Sequence, residues 1–115
     1  MKKILLLSTV LLMIATVGYS TIYTIGNSGT TFSPVTITIH VGDTIVFMLS
    51  STYNAIEVSK DTYDASGNTT NGGFSVPHGG GQVSFRKTGI FYYVCEAHAA
   101  IGMKGSITVT PASGI

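Results

Sequence analysis

Residues 35–41, Val35-Thr36-Ile37-Thr38-Ile39-His40-Val41, alternate strictly, with an apolar side chain at every odd position. A period of two puts alternate side chains on opposite faces of an extended segment, so this stretch predicts a strand with one buried face. The same alternation returns at Gln82–Lys87 and at Ser106–Thr110. Thr44–Leu49 is richer in apolar residues, as expected of a central strand, and Met48 within it is expected in the core. Ile90–Cys95 is an apolar, aromatic run in which Tyr92 and Tyr93 face opposite ways, so one of them should pack inward. Tyr23–Ile25 and Ala55–Val58 are shorter strand candidates. Gly26-Asn27-Ser28-Gly29, Gly42-Asp43 and Thr88-Gly89 supply turns between them. Residues 60–81 are rich in Gly, Ser, Asn and Thr and predict a long crossing connection with one helical turn at Asp61–Ala65. There is no internal repeat and no long amphipathic helix. Short strands with frequent turns predict an all-β, Greek-key β-sandwich of about seven to eight strands.

The N-terminus breaks this pattern. Met1-Lys2-Lys3 is basic, Ile4–Val17 is apolar apart from Ser8, Thr9 and Thr16, and Gly18-Tyr19-Ser20 offers small-x-small. The apolar run is short of the roughly 20 residues that cross a bilayer. Residues 1–20 therefore read as a signal peptide removed on export, leaving one domain at 21–115 with no membrane span. The alternative is an uncleaved N-terminal anchor. Export places the mature protein in the periplasm or in an extracellular or cell-envelope space.

Composition narrows the function. Beyond residue 20 the cations are Lys60, Arg86, Lys87 and Lys104, against Asp43, Glu57, Asp61, Asp64 and Glu96. That near balance shows no basic patch, which argues against nucleic acid, and no acidic cluster to steer a partner. A domain this small buries only about 60–65% of its unfolded surface. The single cysteine, Cys95, forms no internal disulfide, so an exported chain needs another reason to carry it.

That reason lies in residues 95–105. Cys95, His98 and Met103 stand as Cys-x2-His-x4-Met, between a strand ending at Cys95 and another starting near Gly105. Thiolate, imidazole and thioether in one short loop form a soft S/N donor set that suits copper, and a weak axial Met marks electron-transfer sites. An isolated Cys95 would be an ordinary core thiol. A thiol nucleophile is the other reading, but no oxyanion hole or base orienter accompanies it. His78-Gly79-Gly80-Gly81 lacks the Gly-x-Ser-x-Gly elbow of an esterase.

Tyr93-Val94-Cys95-Glu96-Ala97-His98 and Gly102–Val109 resemble the copper loop of plastocyanin-type cupredoxins. Phe32-x-Pro34 and Val41-Gly42-Asp43-Thr44 carry the resemblance toward the N-terminus. The resemblance implies one copper ion cycling Cu(I)/Cu(II), with Cys95 and His98 as equatorial ligands and Met103 axial. It implies a monomeric carrier that docks transiently with redox protein partners through the apolar residues around His98, and no enzymatic turnover. The segment Tyr53-Asn54-Ala55-Ile56-Glu57-Val58 resembles the setting of the family's first histidine, but Tyr53 stands where that histidine belongs. His78, in a Gly-rich loop expected at the copper end, is the candidate replacement, with a surface-loop histidine as the alternative. A Tyr53 phenolate ligand is a third option, disfavoured by a phenol pKa near 10. His40 is expected at the opposite end, on the surface. Asn54 is expected to tie the two ligand loops together. Two other functions stay open: copper storage or delivery, and a cupredoxin without metal that serves only for interaction.

Overall fold

In the structure, a computed structural model, residues 20–112 are described. Alternation becomes strand wherever a face is buried. The described residues form nine strands: β1 Ile22–Ser28, β2 Thr31–Ser33, β3 Thr36–His40, β4 Thr44–Met48, β5 Ala55–Val58, β6 Thr70–Val76, β7 Gly80–Ser84, β8 Gly89–Val94 and β9 Lys104–Thr110. One short helix, α1 Lys60–Asp64, follows β5. The strands make two sheets, ordered β2-β1-β4-β7 and β3-β9-β8-β5-β6. β1 lies parallel to β4 and β3 parallel to β9, and every other pair is antiparallel. The sheets face each other across a core that includes Ile25, Ile39, Ile45, Phe47, Tyr93 and Ile107. This is the expected all-β sandwich, with β4 an interior strand between β1 and β7.

The two ends of the sandwich differ. Thr44↔Ser84 and His40↔Thr110 mark one end. Met48↔Gly80, Ala55↔Val76 and Val94↔Lys104 mark the other, where residues 95–103 join β8 to β9.

Five expectations shift. β2 was not foreseen; it is three residues long and pairs only with β1. β6 lies inside the stretch read as a crossing connection. It is an exposed edge strand, so no hydrophobic alternation marks it. The Glu57 carboxylate organises it instead, accepting from Asn71 Nδ2 at 2.9 Å and from the Phe74 amide at 3.1 Å. β7 begins at Gly80, ahead of the Gln82 start suggested by side-chain alternation, because backbone pairing with β4 continues through the glycines. Met48 is 64% exposed rather than buried: it ends β4, and alternation turns Phe47 inward instead. The helical turn sits one residue earlier than expected, capped by Ser59, whose side chain accepts from the Thr62 amide at 3.2 Å. Of the expected leader, residues 1–20, all but Ser20 lie outside the described residues.

Candidate metal centre

Residues 95–103 close into a tight loop through their own backbone. The Cys95 amide donates to the Met103 carbonyl at 2.9 Å, continuing the β8–β9 ladder by one pair. Inside it, the His98 amide donates to Cys95 O at 3.1 Å and the Met103 amide to His98 O at 3.2 Å. A single 3-10 turn, Ala99–Ile101, spaces His98 from Met103 and ends at Gly102 with φ +91°. That left-handed conformation is cheap for glycine and costly for other residues. The loop thus converts a spacing along the chain into convergence in space.

Cys95 and Met103 are both fully buried and belong to one apolar cluster, whereas His98 is half-buried. Cys95 Sγ lies 3.5 Å from His98 Nδ1. Sulfur and nitrogen ligands about 2.3 and 2.0 Å from one divalent ion, at a tetrahedral angle, are themselves about 3.5 Å apart. At that separation the pair shares a hydrogen bond and is also close enough for both atoms to reach one ion, for which the soft donor set would fit copper. Among the described residues no three His, Cys, Asp or Glu side chains cluster around a point.

Tyr53 meets His98 edge-to-face, with ring centroids 5.2 Å apart. Tyr53, expected from the sequence to stand where the family's histidine belongs, thus lies beside the expected ligand His98. Asn54 joins the two loops: its Oδ1 accepts the Glu96 amide at 2.9 Å, and its Nδ2 lies 3.5 Å from Glu96 Oε1. Asn68 Nδ2 donates to the Glu96 carbonyl at 3.0 Å from the far side. Sequence reasoning missed Asn68, because nothing local in a polar connection marks a residue that bonds 28 positions onward.

His78 is exposed. Its turn sits at this end, since the Gly79 amide donates to the Tyr53 carbonyl at 3.1 Å, but its side chain does not join Cys95 and His98 in a three-ligand cluster. Gly80 allows that turn to press onto β4: its φ is +115°, and a Cβ there would collide with the Phe47 carbonyl. His40 lies at the other end of the sandwich, paired with Thr110 and 43% exposed. Lys104 caps the rim, its Nζ donating to Tyr63 O at 2.7 Å and lying 4.5 Å from the Tyr63 ring centroid.

Residues 20–110 match the family model of copper-binding proteins of the plastocyanin/azurin family. No curated protein matches the chain. Among solved structures, the chain is similar to a pseudoazurin from Sinorhizobium meliltoi, at 21% identity and a TM-score of 0.60 over 81% of this chain and 76% of that one. It is similar to a pseudoazurin from Methylobacterium extorquens AM1, at 20% identity and a TM-score of 0.60 over 77% and 75%. It is also similar to a purple cupredoxin from Nitrosopumilus maritimus, at 18% identity and a TM-score of 0.60 over 76% and 99%. At such identities the likeness is one of fold. With the family match covering both sheets and the Cys95–Met103 loop, the chain belongs to the plastocyanin/azurin family of copper-binding proteins.

Proposed function

We propose that this protein is an exported carrier of single electrons, with one copper ion held by Cys95, His98 and Met103. The observation that supports this reading is the 3.5 Å approach of a buried thiol to an imidazole nitrogen on a loop closed by its own backbone. Bound copper would supply one-electron exchange between Cu(I) and Cu(II). The chain supplies the rest. The Cys95 thiolate is the strong donor, the His98 ring fills a second position, and the Met103 thioether is the weak, soft one. Burial of Cys95 and Met103 keeps water from both sulfurs. Anchoring by Asn54 and Asn68 holds the loop in one geometry, which limits rearrangement when charge changes. His78, the other imidazole at this end, stands apart from Cys95 and His98 in the structure, so its proposed role as fourth ligand requires its exposed side chain to swing onto the ion when copper binds. The protein performs no catalytic turnover and works as a monomer. Ala100 and Ile101, the latter 68% exposed beside His98, form a small apolar patch for brief docking with redox proteins. Among the described residues no helix is long and apolar enough to cross a membrane.

The edge-to-face packing of Tyr53 on His98 favours a second reading, copper storage or delivery. A neutral phenol is a poor ligand, and without His78 the donors reduce to two sulfurs and one nitrogen, a set that suits Cu(I). Visible spectroscopy of the purified protein with added Cu(II) separates the two. The carrier reading expects an intense thiolate-to-copper band that a reductant bleaches reversibly and that Cys95→Ala abolishes. Tight Cu(I) binding without that band supports storage, and no bound copper leaves only an interaction module. An unchanged spectrum in His78→Ala removes His78 from the ligand set.

A further inference from the structure

Asp43 carries a buried carboxylate, 2% exposed, at the end of the sandwich remote from Cys95. Its Oδ2 accepts the His40 amide at 2.8 Å, and its Oδ1 accepts the Thr21 amide at 2.8 Å. The half-exposed His40 ring stands 3.8 Å from Oδ2. Among the described residues no lysine or arginine pairs with it; the one other ion pair is Lys60–Asp64. Arg86 and Lys87 follow Phe85, whose backbone bonds to Gly42 and Asp43, yet neither reaches the carboxylate. A buried carboxylate with no full cation beside it is costly.

Thr21 is fixed on both sides. Its carbonyl accepts the Thr44 amide at 3.0 Å, and β1 starts with Ile22 opposite Thr44. Its nitrogen therefore stays against Oδ1 whatever precedes it. Thr21 is also the residue that follows the small-x-small sequence Gly18-Tyr19-Ser20. The sequence and the hydrogen bond point independently to the same nitrogen.

We propose that the Ser20–Thr21 bond is the processing site and that Asp43 is the receptor for the α-ammonium that cleavage creates. Hydrolysis of that amide by water, in the active site of a leader peptidase, leaves a carboxylate on Ser20 and an amine on Thr21. The amine is mostly protonated at neutral pH. A neutral N–H donor thereby becomes a charged one, and charge-assisted bonds are roughly twice as strong. Leader removal then locks β1 to the turn between β3 and β4. This inference rests on reading residues 1–20 as a leader and is independent of copper.

The test expresses the full chain with export and measures copper-free protein. Intact mass should place the N-terminus at Thr21. A second chain carries one glycine inserted between Ser20 and Thr21, which displaces the ammonium. Its melting temperature at pH 6–7 should be lower by about 4–8 °C. The gap should vanish when both chains carry Asp43→Asn. Should that variant not fold, pH reads the same coupling. The ammonium is the pairing form, so the gap is full well below the α-amino pKa and closes as pH rises through and beyond about 8. An N-terminus other than Thr21, or equal melting temperatures for the two Asp43 chains, overturns the proposal.

Discussion

Tyr93 shows how a single residue can be legible by pattern yet chemically unexpected. Alternation required one of Tyr92 and Tyr93 to point inward, and Tyr93 does, with no exposed surface. Its ring meets Phe32 and Phe47 edge-on, at centroid distances of 4.8 and 5.4 Å. Its hydroxyl is buried without a hydrogen-bond partner among the described residues, and burial pushes the phenol well above its ordinary pKa. The hydroxyl fits because residue 105 is glycine; a Cβ there would strike both it and the Val35 carbonyl. An unpaired buried hydroxyl costs about 1–3 kcal/mol, whereas its deletion leaves only a small void. Tyr93→Phe should therefore melt at the same temperature as the parent or higher, by calorimetry. A clear fall would mean that the hydroxyl has a partner, such as a buried water. Tyr92, on the outer face, packs on Tyr63 at 4.9 Å instead.

Among the elements, the bond between the β4–β5 connection and the β8–β9 loop matters most to the site. The expectation that Asn54 ties these loops agrees with the hydrogen bond it accepts from the Glu96 amide. Asn54 is 6% exposed, so its removal strands a backbone donor in a partly buried place. Asn54→Ala should lower stability by about 1–3 kcal/mol in denaturant titration. If the loop holds copper as proposed, the variant should also lose it to a chelator about 10–100-fold more readily. Unchanged copper retention would show that the loop's internal hydrogen bonds suffice. β6 illustrates what periodicity misses: its pairing with β5 is reinforced by Asn71 and Phe74 donating to Glu57, and hydrogen bonds to one carboxylate leave no alternating trace.

For the whole molecule, stability and function meet in the proposed ion. The domain has no disulfide, and its single cysteine is free and buried. A ligand that binds only the folded state stabilises it by about 2.7 kcal/mol at a hundredfold excess over its Kd. On a domain of this size that shifts melting by roughly 10 °C or more. Copper-loaded protein should melt that much above chelator-treated protein, and the difference should disappear in Cys95→Ala. Equal melting curves with and without copper would show that no copper binds the folded domain preferentially, which overturns the proposed centre.

The sandwich class, the positions of most strands along the chain and the Cys-x2-His-x4-Met loop could be read from the chain because each rests on short-range rules. A period of two follows from local pleating, and Cys95, His98 and Met103, the proposed donors, sit on a loop closed by backbone hydrogen bonds within itself. Contacts between distant segments could not be read this way. Pairing of strands far apart in sequence, β5 with β6 and β8 and β1 with β4, accompanies the meeting of Tyr53 with the His98 ring, Asn68 with the Glu96 carbonyl and Thr21 with the Asp43 carboxylate. No periodicity encodes such meetings, since the energy that sets them comes from burying both sheets at once.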